Sequence, residues 1–319
     1  AQSKNKNRKR GKVKMANDLK ELTDFANEVR DLLLGKYDDV EVQKVVKNHD
    51  EILVGVTVRT KNNRVSPNVY LNDYYRRYMD NRMSIQDVSA EVQRIVDENT
   101  KDAMAANIDP FVFLNKSELL KRVIVKLTGT DNNEQYLSNC VYVPVADGLV
   151  AVLHVFVSIS DKGIYTSKLT KEMLDVIGMP LEAVYEIAKR NTQMKFPYSV
   201  RSLASWIKRM CGEDAVEKIN IDDKVYIITN IVGINGASVI LYDDVLKAFC
   251  EDHRCDRVYI LPSSIHELFL IPEDAFVDKT GMLEIVRSAN KTLQDSGSYL
   301  SDDVFMYDAS SNKISNITK

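Results

Sequence analysis

Residues 258–272 read VYILPSSIHELFLIP, two short apolar runs joined by a bend. Val258-Tyr259-Ile260-Leu261 and Leu268-Phe269-Leu270-Ile271 have the β-branched and aromatic content of strands, and Pro262-Ser263-Ser264 between them is turn material. The stretch is therefore expected to form two strands at the heart of a C-terminal domain, with Ser263, Ser264, His266 and Glu267 delivered at the bend. A hydroxyl, an imidazole and a carboxylate are the ingredients of a nucleophile, a base and an orienting acid. Against catalysis, triads are assembled from distant positions. No G-x-S-x-G turn is present to expose a serine. The preferred reading is architectural, with the serines satisfying backbone groups of the turn. Hydrolase or transferase chemistry at Ser263, Ser264, His266 and Glu267 is kept as an alternative.

Around this stretch the elements alternate. Leu19, Leu22, Phe25, Ala26, Val29, Leu32 and Leu33 make a helical stripe stopped by Gly35. Three strand-like runs follow at 40–46, 52–60 and 65–71, a meander whose third strand holds Pro67 and belongs at an edge. Tyr70, Tyr74, Tyr75 and Tyr78 interleave with Arg76, Arg77 and Arg82, as in a base-stacking platform. In helical register, however, Tyr74, Tyr75 and Tyr78 share a packing face with Leu71. Ser84 and Asp87 resemble a capping box that opens the next helix.

Strands are expected at 123–127 and 148–159, the second placing His154 among apolar neighbours as a buried, hydrogen-bonded histidine. Helices are expected at 170–177 and 181–190. Asn191 to Pro197 reads as the domain boundary, followed by a helix over 200–210. Strands at 225–229 and 237–242 flank Asn235-Gly236, a hairpin pair, and place Gly233 and Gly236 in that hairpin. A helix over 244–251, another over 282–293, and strands at 304–307 and 313–317 complete the order. Short connections favour antiparallel pairing. The fold class is α+β, in two mixed domains that each pack a largely antiparallel sheet with helices: an N-terminal domain over 15–193 and a C-terminal one over 194–319.

Residues 1–14 stand apart. Lys4, Lys6, Arg8, Lys9, Arg10, Lys12 and Lys14 give them seven positive charges and no negative one. Residues 15–319 then hold 36 of the 43 basic side chains and all 46 acidic ones, a balance of −10. Such a segment is expected to be a disordered arm. It is read either as a solubilising tail, with Met15 a natural start, or as a contact to nucleic acid or an acidic partner. The acidic body repels nucleic acid except through the arm.

The apolar stretch 148–159 is too short to span a bilayer, which takes about 20 residues, so no membrane partner is expected. The N-terminus lacks the apolar core of a secretory signal. Four cysteines fit reduced thiols better than a disulfide framework, and the location expected is cytoplasmic. Cys250, His253 and Cys255 raise zinc, but they are three ligands with no closing motif, and Cys250 continues an apolar helix face. There is no glycine-rich phosphate loop, no H-E-x-x-H and no dinucleotide fingerprint. No metal or cofactor is assigned.

V-Y-I-I-T-N (225–230), I-N-G-A (234–237), L-P-S-S-I-H-E (261–267) and Y-L-S-D-D-V (299–304), with Asn133-Glu134 and Asn191-Thr192, resemble an uncharacterised bacterial family classed as a domain of unknown function. The similarity runs from about Asp18 to Ile317. It implies a cytoplasmic protein, often associated with mobile elements, and supplies no activity. The basic arm and the Cys250/Cys255 pair depart from the family's pattern. The functional reading is a binding or regulatory protein acting through macromolecular contacts, with a protein as its partner, and strand edges and grooves as the means.

Overall fold

The computed structural model describes residues 2–37, 39–59, 68–106, 110–160, 163–212, 224–275, 279–293 and 296–319. Side chains are described for these except at 2–17, 99–106, 110–111, 160, 210–211, 279 and 296. The chain forms two compact units, residues 1–47 with 52–110, and residues 48–51 with 111–319. Among the described residues no helix is long and apolar enough to cross a membrane.

In the first unit, helix α1 (Gln2–Leu33) packs against a meander of β1 (Asp39–Val46), β2 (Ile52–Arg59) and β3 (Asn68–Tyr70) in the order β1-β2-β3. Phe25, Val29 and Leu33, each four residues from the next, and Ala26 beside them are buried with Val54, Val56 and Val58 of β2. Helix α2 (Asn72–Met79) and helix α3 (Ile85–Ala106) complete the unit. Rings of Tyr75 and Tyr78 lie 5.3 and 5.0 Å from that of Phe25, so the tyrosine segment is a packing face. The expected capping box forms: Ser84 Oγ accepts from the Asp87 amide at 3.1 Å, and Asp87 accepts from the Ser84 amide at 2.9 Å.

The segment expected to be a disordered arm is helical in the structure, since α1 runs without a break from Gln2. Lys and Arg are good helix formers, and extending a helix already docked by its apolar stripe requires no new nucleus. The side chains of Lys4, Lys6, Arg8, Lys9, Arg10, Lys12 and Lys14 lie outside the described residues.

The second unit is built on two antiparallel sheets. Helix α4 (Lys116–Arg122) leads into β4 (Val123–Gly129), and helix α5 (Glu134–Leu137) precedes β5 (Tyr142–Ala146), β6 (Leu149–Ser160) and β7 (Gly163–Lys168). These strands pair as β4-β6-β5, with β7 on β6. Helices α6 (Lys171–Ile177) and α7 (Leu181–Lys195) follow. The six-stranded sheet contains β8 (Tyr198–Ser202), β9 (Tyr226–Asn230), β10 (Arg257–Pro262), β11 (Leu268–Pro272), β12 (Phe305–Asp308) and β13 (Lys313–Asn316), in the order β13-β12-β10-β11-β9-β8. Its helices are α8 (Leu203–Cys211), α9 (Val245–His253) and α10 (Lys279–Thr292).

The stretch 258–272 forms the central hairpin of this sheet, with Val258 opposite Pro272 and Pro262 opposite Leu268. Side chains on a strand alternate between faces, and both faces here are buried. Val258, Ile260, Leu268 and Leu270 enter the main core, while Leu261 and Ile271 pack with Met282 and Val286 of α10. Each such Leu or Ile contributes about 1.5–3 kcal/mol by leaving water.

The boundary expected at 193/194 is not where the units divide, because α7 continues through Asn191 and Thr192 to Lys195. Both side chains are buried and tie the helix to the end of α4 and to β4. Asn191 Nδ2 donates to the carbonyls of Leu120 (2.8 Å) and Val123 (2.9 Å), and Thr192 Oγ1 accepts from the Val125 amide at 2.9 Å. The main core consequently runs through both sheets, from Val125 and Leu153 to Ile228 and Phe305.

Two local expectations change as well. Val200 to Ser202 is strand, not helix, and α8 starts only after Ser202 caps the Ser205 amide at 3.1 Å. The expected strand at 237–242, with its Asn235-Gly236 hairpin, is instead a buried 3-10 turn over Gly236–Leu241. Asn230 pre-forms the bend before it. Its Oδ1 accepts from the amides of Val232 and Gly233, and its Nδ2 donates to the Ile234 carbonyl. β9 is thereby free to pair with β8 and β11.

Candidate functional site

The bend after β10 is a joint between three segments. His266 Nδ1 accepts from the Asn235 amide at 3.2 Å, and its Nε2 lies 3.3 Å from Ser298 Oγ. The Ile265 amide donates to the Ser298 carbonyl, the Ala237 amide to the Ile265 carbonyl, and Thr229 Oγ1 to the His266 carbonyl at 2.7 Å. Gly236 sits so close to Thr229 Oγ1, the His266 carbonyl and the Asn230 amide that no Cβ fits there.

This geometry assigns the tautomer. A backbone amide only donates, so Nδ1 is unprotonated, and in the neutral ring Nε2 carries the proton and donates to Ser298 Oγ. A base that activates a serine must accept its proton, and here the direction is reversed. Ser263 and Ser264 are buried, at 8% and 7% exposure. Ser263 Oγ donates to Glu267 Oε1 at 3.4 Å and Ser264 Oγ accepts from the His266 amide at 3.0 Å. Ser263, Ser264, His266 and Glu267 are thus together at one bend, and hydrogen bonds join Ser263 to Glu267, Ser264 to the His266 amide, and the imidazole to Asn235 and Ser298.

His154, buried at 6% exposure, contacts the Tyr136 hydroxyl at 3.5 Å and Thr166 Oγ1 at 3.3 Å. Among the described residues no group of three or more His, Cys, Asp or Glu is gathered as for a metal ion. A cleft of about 400 Å³ lies where α7, β13 and the start of α9 meet. Its partly buried cation, Lys189, is already neutralised by Asp243 at 2.7 Å and Glu186 at 3.0 Å. Burial works against the Lys189 ammonium, and the two carboxylates outweigh it, holding its pKa above the ordinary value.

A different feature emerges at the end of the six-stranded sheet. The Ile231 amide donates to the Pro197 carbonyl at 2.9 Å and the Leu203 amide to the Val225 carbonyl at 2.7 Å. With Ser199 opposite Thr229 and Arg201 opposite Ile227, these two bonds fix the parity of the ladder: odd-numbered residues of β8 face β9. The amides of Tyr198, Val200 and Ser202 therefore point away from β9, to an edge that no strand among the described residues pairs. Beside that edge is a groove of about 440 Å³, lined by Tyr198, Val200, Tyr226, Val245, Phe249 and His253 among others. The His253 ring packs 4.3 Å from Tyr226 and 4.2 Å from Phe249, and its buried Nε2 has no hydrogen-bond partner among the described residues.

The outer edge of β4 is treated differently. There the Val125 amide is capped by Thr192 Oγ1 and the Leu127 amide by Ser238 Oγ at 2.9 Å. Edge strands invite pairing unless they are covered, so the contrast between β4 and β8 is informative. Sequence reasoning assigned Val200 to a helix and missed this site. The alternation Tyr-Ser-Val-Arg-Ser, ending on a serine three residues before another, was the available signal.

A comparison with curated proteins finds no match, and a comparison with solved structures finds none. Residues 22–309, nearly the whole chain, match one family model, and the chain belongs to that family, described as "Family of unknown function (DUF5688)".

Proposed function

We propose that the protein is a binding module that takes an extended polypeptide segment as an added strand along β8. The observation that carries this reading is the outward-facing edge of Tyr198, Val200 and Ser202 beside a groove whose lining mixes Val245 and Phe249 with Arg201 and Asp252. In strand addition, main-chain hydrogen bonds give affinity and pockets for alternate side chains give specificity. The groove is positioned to receive such side chains against Phe249 and His253 of α9. Exposed Met194, Tyr198 and Ile231, close in sequence or bonding to the start of β8, add apolar surface at the same end. The reading carries the cytoplasmic, bacterial setting expected from composition and resemblance, and a regulatory role through a protein partner.

The test is selection of displayed random peptides on the full chain, with Val200→Pro as the counter-variant. Proline lacks the amide that would bond an incoming strand, yet position 200 donates nothing to β9, so the ladder survives. Selected peptides should bind Val200→Pro at least about tenfold more weakly, a loss of about 1.4 kcal/mol or more. They should also slow amide exchange at 198, 200 and 202. Enrichment of no peptide, or equal binding to the variant, defeats the proposal.

A second reading rests on α1, whose backbone remains helical through a segment with seven basic residues and no acidic one. It is an electrostatic contact to nucleic acid. Deleting residues 1–14 should abolish retention of DNA or RNA at low salt, and binding should fall steeply with salt, with a slope of about −0.9 per neutralised phosphate. Absence of retention by the full chain reduces the segment to a solubilising tail.

A further inference from the structure

Helix α9 ends in a way that brings two thiols together. Arg254 adopts a left-handed conformation (φ 54°, ψ 44°). The Cys255 amide donates to the Cys250 carbonyl at 3.0 Å, and the Arg254 amide to the Glu251 carbonyl at 3.3 Å. This pair of crossed bonds is a Schellman ending, in which the side chains of the residues at the outer bond meet. Those residues are Cys250, buried at 2% exposure, and Cys255, which is partly exposed. Each thiol perturbs the ionisation of the other. No other described cysteine shares this arrangement: Cys140 is buried with its sulfhydryl donating to the Tyr136 carbonyl at 3.1 Å.

We propose that Cys250 and Cys255 form a two-thiol oxidation site, which a small-molecule disulfide oxidant closes into an intrachain disulfide joining the last turn of α9 to the turn that leads into β10. Cys255, the more accessible sulfur, attacks the oxidant first as its thiolate. One sulfur of the oxidant leaves as a thiol, and the other remains in a mixed disulfide with Cys255. The Cys250 thiolate then attacks the Cys255 sulfur, the Cys250–Cys255 bond forms, and the second thiol leaves. The two protein thiols lose two electrons and two protons in total, and the oxidant is reduced to two thiols.

Burial pushes the Cys250 thiol up to about 12, reinforced by its neighbour Cys255, and burial raises the Cys255 thiol as well. The thiolate is the nucleophile, so closure is slow at neutral pH and speeds up by about tenfold per pH unit while the attacking thiol is mostly protonated. Phe249 and His253 of the same turn line the groove beside β8, so the disulfide would fix one wall of it. The proposal does not depend on a peptide binding there.

The sequence makes the test direct. Trypsin cleaves after Lys247, Arg254 and Arg257, so the two cysteines fall in separate peptides, 248–254 and 255–257, that stay joined only by a disulfide. The full chain is incubated with oxidised glutathione between about pH 7 and pH 9, quenched in acid, alkylated and digested. The expected result is the joined peptide pair, lost on reduction and absent from Cys255→Ser, while Cys140 remains alkylatable after unfolding. Slowed amide exchange over 249–256 in the oxidised chain should accompany it. Recovery of both cysteines singly alkylated overturns the proposal, as does arrest at a glutathione adduct on Cys255. Cys250→Ala, which keeps an apolar residue in the core, should stop at that adduct and shows that the second step needs Cys250.

Discussion

Replacing His266 separates a joint from a catalytic base. His266→Ala removes the acceptor of the Asn235 amide and the partner of Ser298 Oγ. Leaving one half-buried donor unsatisfied costs about 1–3 kcal/mol. Ser298 can turn its hydroxyl elsewhere, so the expected loss is about 2 kcal/mol. For a unit of this size, 1 kcal/mol moves Tm by about 2–4 °C, so the melting temperature should fall by about 4–8 °C. The two isosteres assign the loss to an atom. Asn places a carbonyl oxygen where Nδ1 stood and should recover about 1 kcal/mol. Gln reaches only the Nε2 side and should recover less. Thermal melts of wild type, His266→Ala, His266→Asn and His266→Gln at one pH, with hydrolysis of a panel of reactive esters, complete the assay. Unchanged stability in His266→Ala, or better rescue by Gln than by Asn, refutes the joint and its tautomer. Loss of an esterase activity at unchanged Tm would make His266 a catalytic base.

Thr192→Val keeps the shape of a side chain exposed at 3% but strips the cap from the Val125 amide; a loss of about 1–3 kcal/mol in urea unfolding is expected, and a neutral result would mean that the edge of β4 needs no cap. Gly236→Ala forces a methyl group against Thr229, the His266 carbonyl and the Asn230 amide, which should cost about 1–3 kcal/mol or more by overpacking; chemical denaturation checks it, and wild-type stability would show that the joint yields. Asp308 accepts from the Ser310 hydroxyl, the Ser311 amide and Arg257, and these hold its carboxyl below the ordinary carboxylate value. A depressed folded-state pKa gives stability that is present above the unfolded value of about 3.9 and is lost as pH falls below it. Asp308→Asn should therefore lower stability at pH 7 and flatten the acid limb of the Tm-against-pH curve; an unaltered acid limb would show that this carboxylate contributes nothing.

The amino-acid sequence by itself determined the α+β class, the stripe of α1, the capping box at Ser84 and the central hairpin of 258–272, because in each the deciding forces are local. Apolar period, β-branched content, a bend at Pro262-Ser263 and a reciprocal cap all act within a few residues. Sequence also gathered Ser263, Ser264, His266 and Glu267 at one bend, but proximity did not reveal the direction of the hydrogen bonds. That depended on the Asn235 amide and Ser298, each about 31 residues from His266 along the chain. Only the tertiary structure decided how far α7 runs, since Asn191 and Thr192 look like a helix stop until β4 supplies their partners. It also decided that Asn235-Gly236 is not a hairpin, because both edges of β9 are taken by β8 and β11, partners distant in sequence, and none is left for the residues that follow it. The open edge of β8 belongs to the same class. Which amides face outward is fixed by register against β9, and register is a long-range quantity that no window of sequence contains.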